Sequence, residues 1–187
     1  MPPVIKRPPG KLRIIGGEWR RRLVQFDPQS GLRPTPDRVR ETLFNWLSAR
    51  IDGARCLDLF AGSGALGIEA LSRGAAQVVF VDLSPKVQAG IRGMLRQLGG
   101  EARAQFYCGA ARDYLVRGAE RFDLVFLDPP YRQDLIPPVL ATLPPHLATG
   151  HRVYLEAEAL PALPEGWKLL KSGKAGQVAF CLAAYTG

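Results

Sequence analysis

The stretch that decides the fold is CLDLFAGSGALG, residues 56–67. Its first five residues form a short apolar run, and a glycine-rich turn follows directly. The residues after the turn have a helical pattern that extends to Ser72. A buried strand, a turn of small residues and a helix in this order are typical of the first βα unit in a parallel sheet.

The same alternation of strands and helices continues along the chain. A helix is predicted from Ser84-Pro85 to Gly99-Gly100, because Val87, Ile91, Leu95 and Leu98 recur at helical spacing. The C-terminal residues 167–185 predict two antiparallel strands around a turn rich in lysine and glycine. We therefore expect an α/β fold with a mostly parallel sheet wrapped by helices. Further strands are predicted at 78–82, 102–108, 123–128 and 152–158.

The N-terminal part has a different composition. Residues 1–10 contain four prolines and predict a flexible tail, and residues 11–35 predict a hairpin around Gly16-Gly17 followed by a loop. The main domain is expected at 36–187. Its first helix is predicted to have Thr35 as N-cap and Pro36 at its first position, with an apolar stripe that reaches Leu47.

Charge and composition favour some classes of protein and exclude others. The 187 residues carry a net charge of +8, and residues 1–50 alone hold 11 Lys/Arg against 4 Asp/Glu. That asymmetry is typical of a surface that neutralises phosphates, although basic surfaces also aid solubility. No apolar run is long enough for a bilayer span, and the N-terminus lacks the apolar stretch of a signal peptide, so a cytoplasmic protein is expected. The three cysteines, with no CxxC spacing, predict buried free thiols in place of a zinc site or disulfides.

The glycine turn and a later acid predict a cofactor site. The motif GxGxxG begins at Gly62, and Asp82 ends the next predicted strand, where its carboxylate is suited to accept hydrogen bonds from ribose hydroxyls. Asp58 beside the turn would repel a pyrophosphate, so a sulfonium with an amino-acid tail fits better than a dinucleotide. The cofactor-binding residues predicted around this turn and acid are Asp58, Phe60, Ala61, Gly62, Ser63, Gly64, Gly67, Asp82 and Leu83.

The tetrapeptide Asp128-Pro129-Pro130-Tyr131 predicts the catalytic corner. It follows a buried strand, at the sheet edge where α/β proteins bind ligands. The Asp128 carboxylate and the Pro129 carbonyl are suited to accept N–H bonds from an exocyclic amine and to stabilise the positive charge that develops on it. Pro130 stiffens the loop. Tyr131 is suited to stack on a base that has been flipped out of a helix.

These motifs resemble those of S-adenosylmethionine-dependent methyltransferases that act on exocyclic amines of bases. The segment GLRPTPDRVRETLFNWL, residues 31–47, and RIIGG, residues 13–17, closely resemble the N-terminal signature of the RsmD family. The resemblance implies a Rossmann-like seven-stranded sheet with an antiparallel last strand, and guanine-N2 methylation of small-subunit (16S) ribosomal RNA in an assembled or assembling subunit. It implies no metal and gives no reason to expect an obligate dimer. The residues that we expect to bind RNA are Arg13, Arg20, Arg21, Arg22, Arg33, Arg38, Arg40 and Asn45.

Two positions depart from the family pattern. The basic run Arg20-Arg21-Arg22 is continuous here, whereas the family usually has a glycine between basic residues. The resemblance also implies cofactor contacts at Gly109, Ala110 and Ala111, in the segment after the fourth motif strand. The family often has an acid after the glycine there, whereas this chain has Ala110. Backbone groups or Asp113 would then hold the adenine amine of the cofactor.

Other functions are compatible with part of the sequence. The tetrapeptide also occurs in DNA adenine-N6 methyltransferases, although no segment suggests a domain that reads DNA sequence. The glycine motif with Asp82 alone would fit a nicotinamide-dependent oxidoreductase, and the basic N-terminus alone would fit a non-catalytic RNA-binding module. Trp19 is equally suited to stack on RNA and to anchor the hairpin. His146 and His151 are interpreted as structural or surface groups.

Overall fold

The computed structural model describes residues 10–26 and 34–187. Its strands are β1 Gly10–Arg13, β2 Leu23–Phe26, β3 Arg55–Asp58, β4 Gln77–Asp82, β5 Ala104–Cys108, β6 Phe122–Leu127, β7 Leu147–Ala157, β8 Trp167–Ala175 and β9 Val178–Tyr185. Its α-helices are α1 Asp37–Trp46, α2 Ala65–Ser72, α3 Pro85–Leu98, α4 Ala111–Arg117 and α5 Ile136–Thr142. The predicted strands and the α3 helix are confirmed, with ends that differ by a few residues.

Seven strands form one sheet in the order β5-β4-β3-β6-β7-β9-β8. The first five are parallel, and β9 runs antiparallel to both β7 and β8. β4 and β5, which follow β3 in sequence, lie on one side of it in the sheet. The next strand, β6, lies on the other side of β3, so the strand order reverses at β3. Ligands of open α/β sheets bind at such a reversal, beyond the carboxyl ends of the strands. The predicted Rossmann-like fold is confirmed.

The two faces of the sheet are covered by different helices. α1, α2, α3 and the β1–β2 hairpin pack on one face, around Phe80 and Phe126. α4 and α5 pack on the other face, around Val125 and Leu155. Because both faces are buried, the central strands have nearly continuous apolar sequences, and this explains why the sequence predicted them.

The N-terminal hairpin is shorter than the sequence predicts. Its two strands pair only from Gly10↔Phe26 to Arg13↔Leu23, so residues 14–22 form a long connection. The backbone of that connection bonds to the end of α2: the Ser72 carbonyl accepts from Glu18 N, and the Ser72 hydroxyl accepts from Trp19 N. A Cβ at Gly17 would lie 1.8 Å from the Ser72 oxygen, so glycine permits this close approach.

Trp19 anchors the hairpin. Its side chain is 3% exposed and lies against Gly100, where a Cβ would come within 2.4 Å of the indole. The Arg103 guanidinium covers the ring at 5.1 Å. Of the two sequence-based interpretations of Trp19, the structure therefore supports the anchor and not a stacking surface for RNA.

Several local expectations need correction. Thr35 is not the N-cap of α1: Pro36 occupies that position without a side-chain cap, and α1 begins at Asp37. Cys108 is exposed, although Cys56 and Cys181 are buried free thiols as predicted. By contrast, Ser84 does cap α3, since its hydroxyl accepts from Val87 N.

The two histidines and Trp46 make hydrogen bonds or packing contacts within the fold. His151 accepts from Tyr185 N through Nε2 at 3.0 Å, and His146 is buried beside the Glu120 carbonyl. Trp46 is half-buried against Phe180. No helix in residues 10–26 and 34–187 is long and apolar enough to cross a membrane.

Candidate active site

Four carboxylates meet at the carboxyl ends of neighbouring strands. Asp58 and Asp82 are the last residues of β3 and β4, and Asp128 follows the last residue of β6. Glu156 lies near the end of β7, and the register Leu127↔Leu155 sets it beside Asp128. The parallel pairing thus gathers acids that are far apart in sequence.

Asp82 holds the glycine turn in place. Its Oδ2 accepts from Gly62 N at 3.0 Å, and its Oδ1 accepts from Ser84 N at 2.9 Å. Gly62 and Gly64 have φ of 51° and 75°, in the left-handed region that glycine adopts without strain. Each carboxylate oxygen can accept a second hydrogen bond, so Asp82 keeps acceptor capacity for a ligand hydroxyl.

Asp58 lies beneath the start of α2 and is 2% exposed. Its Oδ2 accepts from Gly67 N at 3.2 Å. Burial, together with the nearby charge of Asp82, raises the pKa of Asp58 to about 7 against the lowering effect of the Gly67 hydrogen bond. A carboxyl in this state favours a positively charged neighbour, because such a charge stabilises its ionised form.

The remaining predicted cofactor residues lie around this turn. Phe60 is half-buried, and Ala61 and Ser63 are buried. Leu83 is 73% exposed directly after Asp82, which is unusual for a large apolar side chain and leaves a surface for a flat apolar ligand. Gly109 N donates to the Asp82 carbonyl, so the turn after β5 lies beside the end of β4. Ala110 and Ala111 then lead into α4, with Asp113 exposed in its first turn.

The Asp128 loop combines a largely enclosed acid with exposed neighbours. Thr35 Oγ1 donates to Asp128 Oδ2 at 3.2 Å. Desolvation raises the pKa of Asp128 well above its usual value, and the Glu156 charge raises it further. Pro129 is buried, whereas Pro130 is exposed and Tyr131 is 43% exposed. The loop therefore presents an aromatic ring to solvent next to an enclosed acceptor.

Glu156 is a site residue that sequence reasoning missed. It is 3% exposed and accepts from the Tyr154 hydroxyl at 2.8 Å. Burial raises its pKa. The only signal in the sequence is an acid in an otherwise apolar strand, YLEA. Its position level with Asp128 follows from the strand register and not from the sequence.

The predicted RNA-binding residues divide into two groups. Arg20 and Arg21 are exposed in the 14–22 connection, and Arg22 is exposed but donates to the Gln97 carbonyl at 2.8 Å. Arg13 is exposed and pairs with Asp37 at 3.0 Å. The outer face of α1 carries Arg38 and Asn45, both exposed, and Arg33 lies outside the described residues.

Arg40 does not belong to this surface. Its side chain is 1% exposed, and it pairs with Glu69 at 3.2 Å and with Asp37 at 2.6 Å. It also donates to the carbonyls of Thr35 and Arg13. The expectation that Arg40 contacts phosphate is wrong, because all its donors face the interior.

Comparison with known proteins places the chain in a family. The profile of the family described as "conserved hypothetical protein 95" matches residues 12–184. The ribosomal RNA small subunit methyltransferase D of Escherichia coli K12 is 43% identical over 179 residues, which cover 92% of this chain and 89% of that protein. The chain belongs to the RsmD family. The Haemophilus influenzae protein of the same name is 41% identical over 92% of this chain and 93% of its own length.

Solved structures agree with this membership of the RsmD family. The Escherichia coli protein yhhF superposes with a TM-score of 0.84 at 42% identity, covering 94% of this chain and 98% of that chain. A Haemophilus influenzae protein superposes with a TM-score of 0.77 at 38% identity, covering 93% and 98%. More than nine-tenths of the chain therefore shares its fold with these two proteins.

Proposed function

We propose that this protein transfers a methyl group from S-adenosylmethionine to the exocyclic N2 of a guanine in small-subunit ribosomal RNA. Relatives more than 40% identical over nine-tenths of the chain are named ribosomal RNA small subunit methyltransferase D. The observation that carries the proposal is the position of Asp128: an enclosed acceptor at the sheet reversal, followed by two prolines and an exposed tyrosine.

The residues around the glycine turn have the chemistry that this cofactor needs. The acidic Asp58 suits the positive charge of the amino-acid part, Asp82 suits the ribose hydroxyls, and the exposed Leu83 suits the flat adenine. When bound, S-adenosylmethionine would supply a methyl carbon on a positively charged sulfur: the guanine nitrogen would bond to that carbon, the carbon–sulfur bond would break, S-adenosylhomocysteine would leave with the electron pair, and the nitrogen would lose a proton to water. The protein itself supplies positioning and charge stabilisation, and no covalent intermediate is required.

The Asp128 loop would hold the guanine. Its carboxylate and the Pro129 carbonyl accept N–H bonds from the amine, which directs the nitrogen lone pair away from the ring and towards the methyl carbon. Tyr131, already exposed, stacks on the flipped base. Because Pro129 and Pro130 lack N–H groups, they offer no donor that competes with the amine.

The exposed arginines of the 14–22 connection would bind the RNA backbone. Arg20 and Arg21 carry charge into solvent, and Arg38 extends the basic surface along α1. Contacts of this kind fix the position of the RNA without reading its sequence. The substrate we propose is the RNA within an assembled or assembling small subunit, and the protein would act there as a cytoplasmic monomer.

Transfer of a labelled methyl group to the subunit tests the proposal. Small subunits from a strain that lacks this protein are incubated with the protein and labelled S-adenosylmethionine, and the methylated nucleotide is mapped. We expect label at N2 of one guanine. Label at an adenine N6, or in DNA and not in subunits, would support the DNA adenine methyltransferase alternative instead. Absence of transfer to any nucleic acid would reject the proposal.

A further inference from the structure

The loop that follows Tyr131 has an unusual backbone conformation at Arg132. The φ of Arg132 is 64°, in the left-handed region that glycine adopts freely and that strains a residue with a side chain. Among the described residues other than glycine, only Arg21 and Asp134 share a positive φ. Aspartate tolerates this region because its short polar side chain bonds to the nearby backbone, but arginine has no such compensation. A glycine at 132 would form the same turn without strain, so the arginine side chain needs another explanation.

The fold itself does not use the Arg132 side chain. This side chain is 86% exposed, and its guanidinium makes no hydrogen bond to any residue in 10–26 and 34–187. Within that part of the chain its one ion pair joins Nε to Oε2 of the exposed Glu158 at 3.8 Å. An exposed pair at this distance contributes little to stability, so the guanidinium can exchange Glu158 for another anion. The side chain is thus available to a ligand.

The same combination of strain and exposure occurs in the N-terminal hairpin. Arg21 has a φ of 68° and an exposed side chain in the 14–22 connection. Its main chain is held in this conformation, since Arg21 N donates to the Ile14 carbonyl at 2.9 Å. Both arginines with a glycine-like backbone therefore lie in segments that we assign to the RNA substrate.

Acids surround the place where the guanine would stack. Burial, followed by the charges of Glu156, Asp128 and Glu158, raises the pKa of Tyr131, in agreement with the position of these acids around the ring. RNA carries a negative charge at every nucleotide, so this acidic corner repels the phosphates of the very nucleotide whose base it would bind. A cation beside Tyr131 would offset that repulsion.

Arg132 is placed to supply this cation. A base and its phosphates are joined through a single sugar, so a guanine stacked on Tyr131 would bring its phosphates close to the next residue of the chain. The guanidinium is planar and always charged, and it matches two phosphate oxygens at once. Such a contact would hold the nucleotide outside its helix while the base lies against Asp128.

We propose that Arg132 binds the phosphate next to the target guanosine and holds that nucleotide in its flipped position. This inference rests on the proposed methyl transfer and adds to it a contact that the sequence motifs do not assign. The hairpin arginines would contribute to the binding of the RNA as a whole, whereas Arg132 would act on the nucleotide that reacts. Its loss should therefore affect turnover more than the binding of the subunit.

Three substitutions at one position separate charge from backbone strain. Arg132→Ala removes the charge and keeps the strain, Arg132→Gly removes both, and Arg132→Lys keeps the charge without the planar fork. Arg121→Ala is the matched control, because Arg121 is exposed and precedes β6 at the opposite end from Asp128. Methyl transfer to small subunits from a strain that lacks this protein gives kcat, sedimentation gives the affinity for the subunit, and calorimetry gives the affinity for S-adenosylhomocysteine.

The charge and the strain should have separate effects. Arg132→Ala and Arg132→Gly should each lower kcat about tenfold or more, as expected for the loss of a hydrogen bond to a charged group. The affinities for the subunit and for S-adenosylhomocysteine should change by less than about threefold. Arg132→Lys should recover part of the loss in kcat, and Arg121→Ala should keep the wild-type kcat. In urea unfolding, Arg132→Gly should have a higher midpoint than Arg132→Ala, since only glycine takes this φ without strain.

Three outcomes would overturn the inference. A wild-type kcat in Arg132→Ala would show that the guanidinium does not assist turnover. A loss of kcat in Arg132→Ala that Arg132→Gly does not share would assign the effect to the conformation of the loop and not to the charge. An equal loss in Arg121→Ala would assign it to the net charge of the protein. All three require a wild-type protein that methylates the subunit, so they differ from failure of the proposed function, in which the wild type itself transfers nothing.

Discussion

The Arg40 guanidinium lies 3.2 Å from the Glu69 carboxylate, with exposures of 1% and 0% for the two side chains. Glu69 also pairs with Arg73 at 2.7 Å. A buried charge is tolerated only when its partners remain, because it has lost the water that would otherwise solvate it. This ion pair therefore links α1 to α2, and the loss of either residue would deprive the other of a charged partner.

Arg40→Ala should lower the free energy of unfolding by about 3–5 kcal/mol, since it leaves the buried Glu69 with one charged partner fewer. Arg38→Ala, on the exposed face of the same helix, is the matched control and should change the stability by less than about 0.5 kcal/mol. Urea unfolding followed by circular dichroism measures both. Equal effects of the two substitutions would argue against a structural role for Arg40.

Asp128→Ala should reduce methyl transfer about 100-fold or more, because it removes the acceptor that stabilises the charge on the amine. The affinity for S-adenosylhomocysteine should change little, since we propose that Asp128 contacts the base and not the cofactor. Glu158→Ala, an exposed acid close to the same loop, is the control. A large loss of cofactor affinity would mean that Asp128 has been assigned to the wrong ligand.

Replacing Arg20, Arg21 and Arg22 with alanine should weaken RNA binding and reduce its dependence on salt. The slope of log affinity against log salt should fall by about one unit for each phosphate that the variant no longer neutralises. The control removes the same charge at another place: Lys168, Lys171 and Lys174, which are exposed on the edge strand β8. Filter binding over a range of salt concentrations measures both slopes. If they fall equally, the effect comes from net charge and not from the hairpin.

Binding of S-adenosylhomocysteine should tighten as the pH rises through about 7, the pKa of Asp58. Below that pH Asp58 is mostly protonated and must release a proton before it can pair with the ligand ammonium. Between about pH 6 and about pH 8 the affinity should therefore increase about tenfold, with proton uptake by the buffer. Calorimetry in buffers of different ionisation enthalpy measures this. Asp58→Asn should abolish the pH dependence; if that variant kept it, another group would be responsible.

The sequence located the main acids of the site because they stand at the ends of recognisable strands. Asp58, Asp82 and Asp128 each follow an apolar run, and parallel strands bring their carboxyl ends to one edge. Ser84 was predicted to begin α3 for a similar reason: a cap acts on residues a few positions away. Interactions between residues that are close in sequence can be predicted from one sequence alone.

Long-range partners were not visible in the same way. Arg40 has the sequence context of an exposed helix position, and its burial depends on Glu69, 29 residues away. Thr35 looked like a helix cap, but its hydroxyl bonds to Asp128 across 93 residues. Glu156 gains its place from a strand register that no local pattern specifies. Buried polar groups select their partners only after the sheet has formed.

The N-terminal hairpin has no core of its own. Leu12 and Trp19 pack in the same apolar cluster as Phe80 of the central sheet, so the hairpin that presents the exposed arginines and the strands that end in the acids of the candidate site share one interior. A recognition module that has its own core can be exchanged between proteins without disturbing the rest of the fold. Here such an exchange would strip α2 and α3 of their cover. An outward position such as Arg20 can therefore change without loss of packing, while a change on the inward side of the hairpin would disturb the core of the main domain.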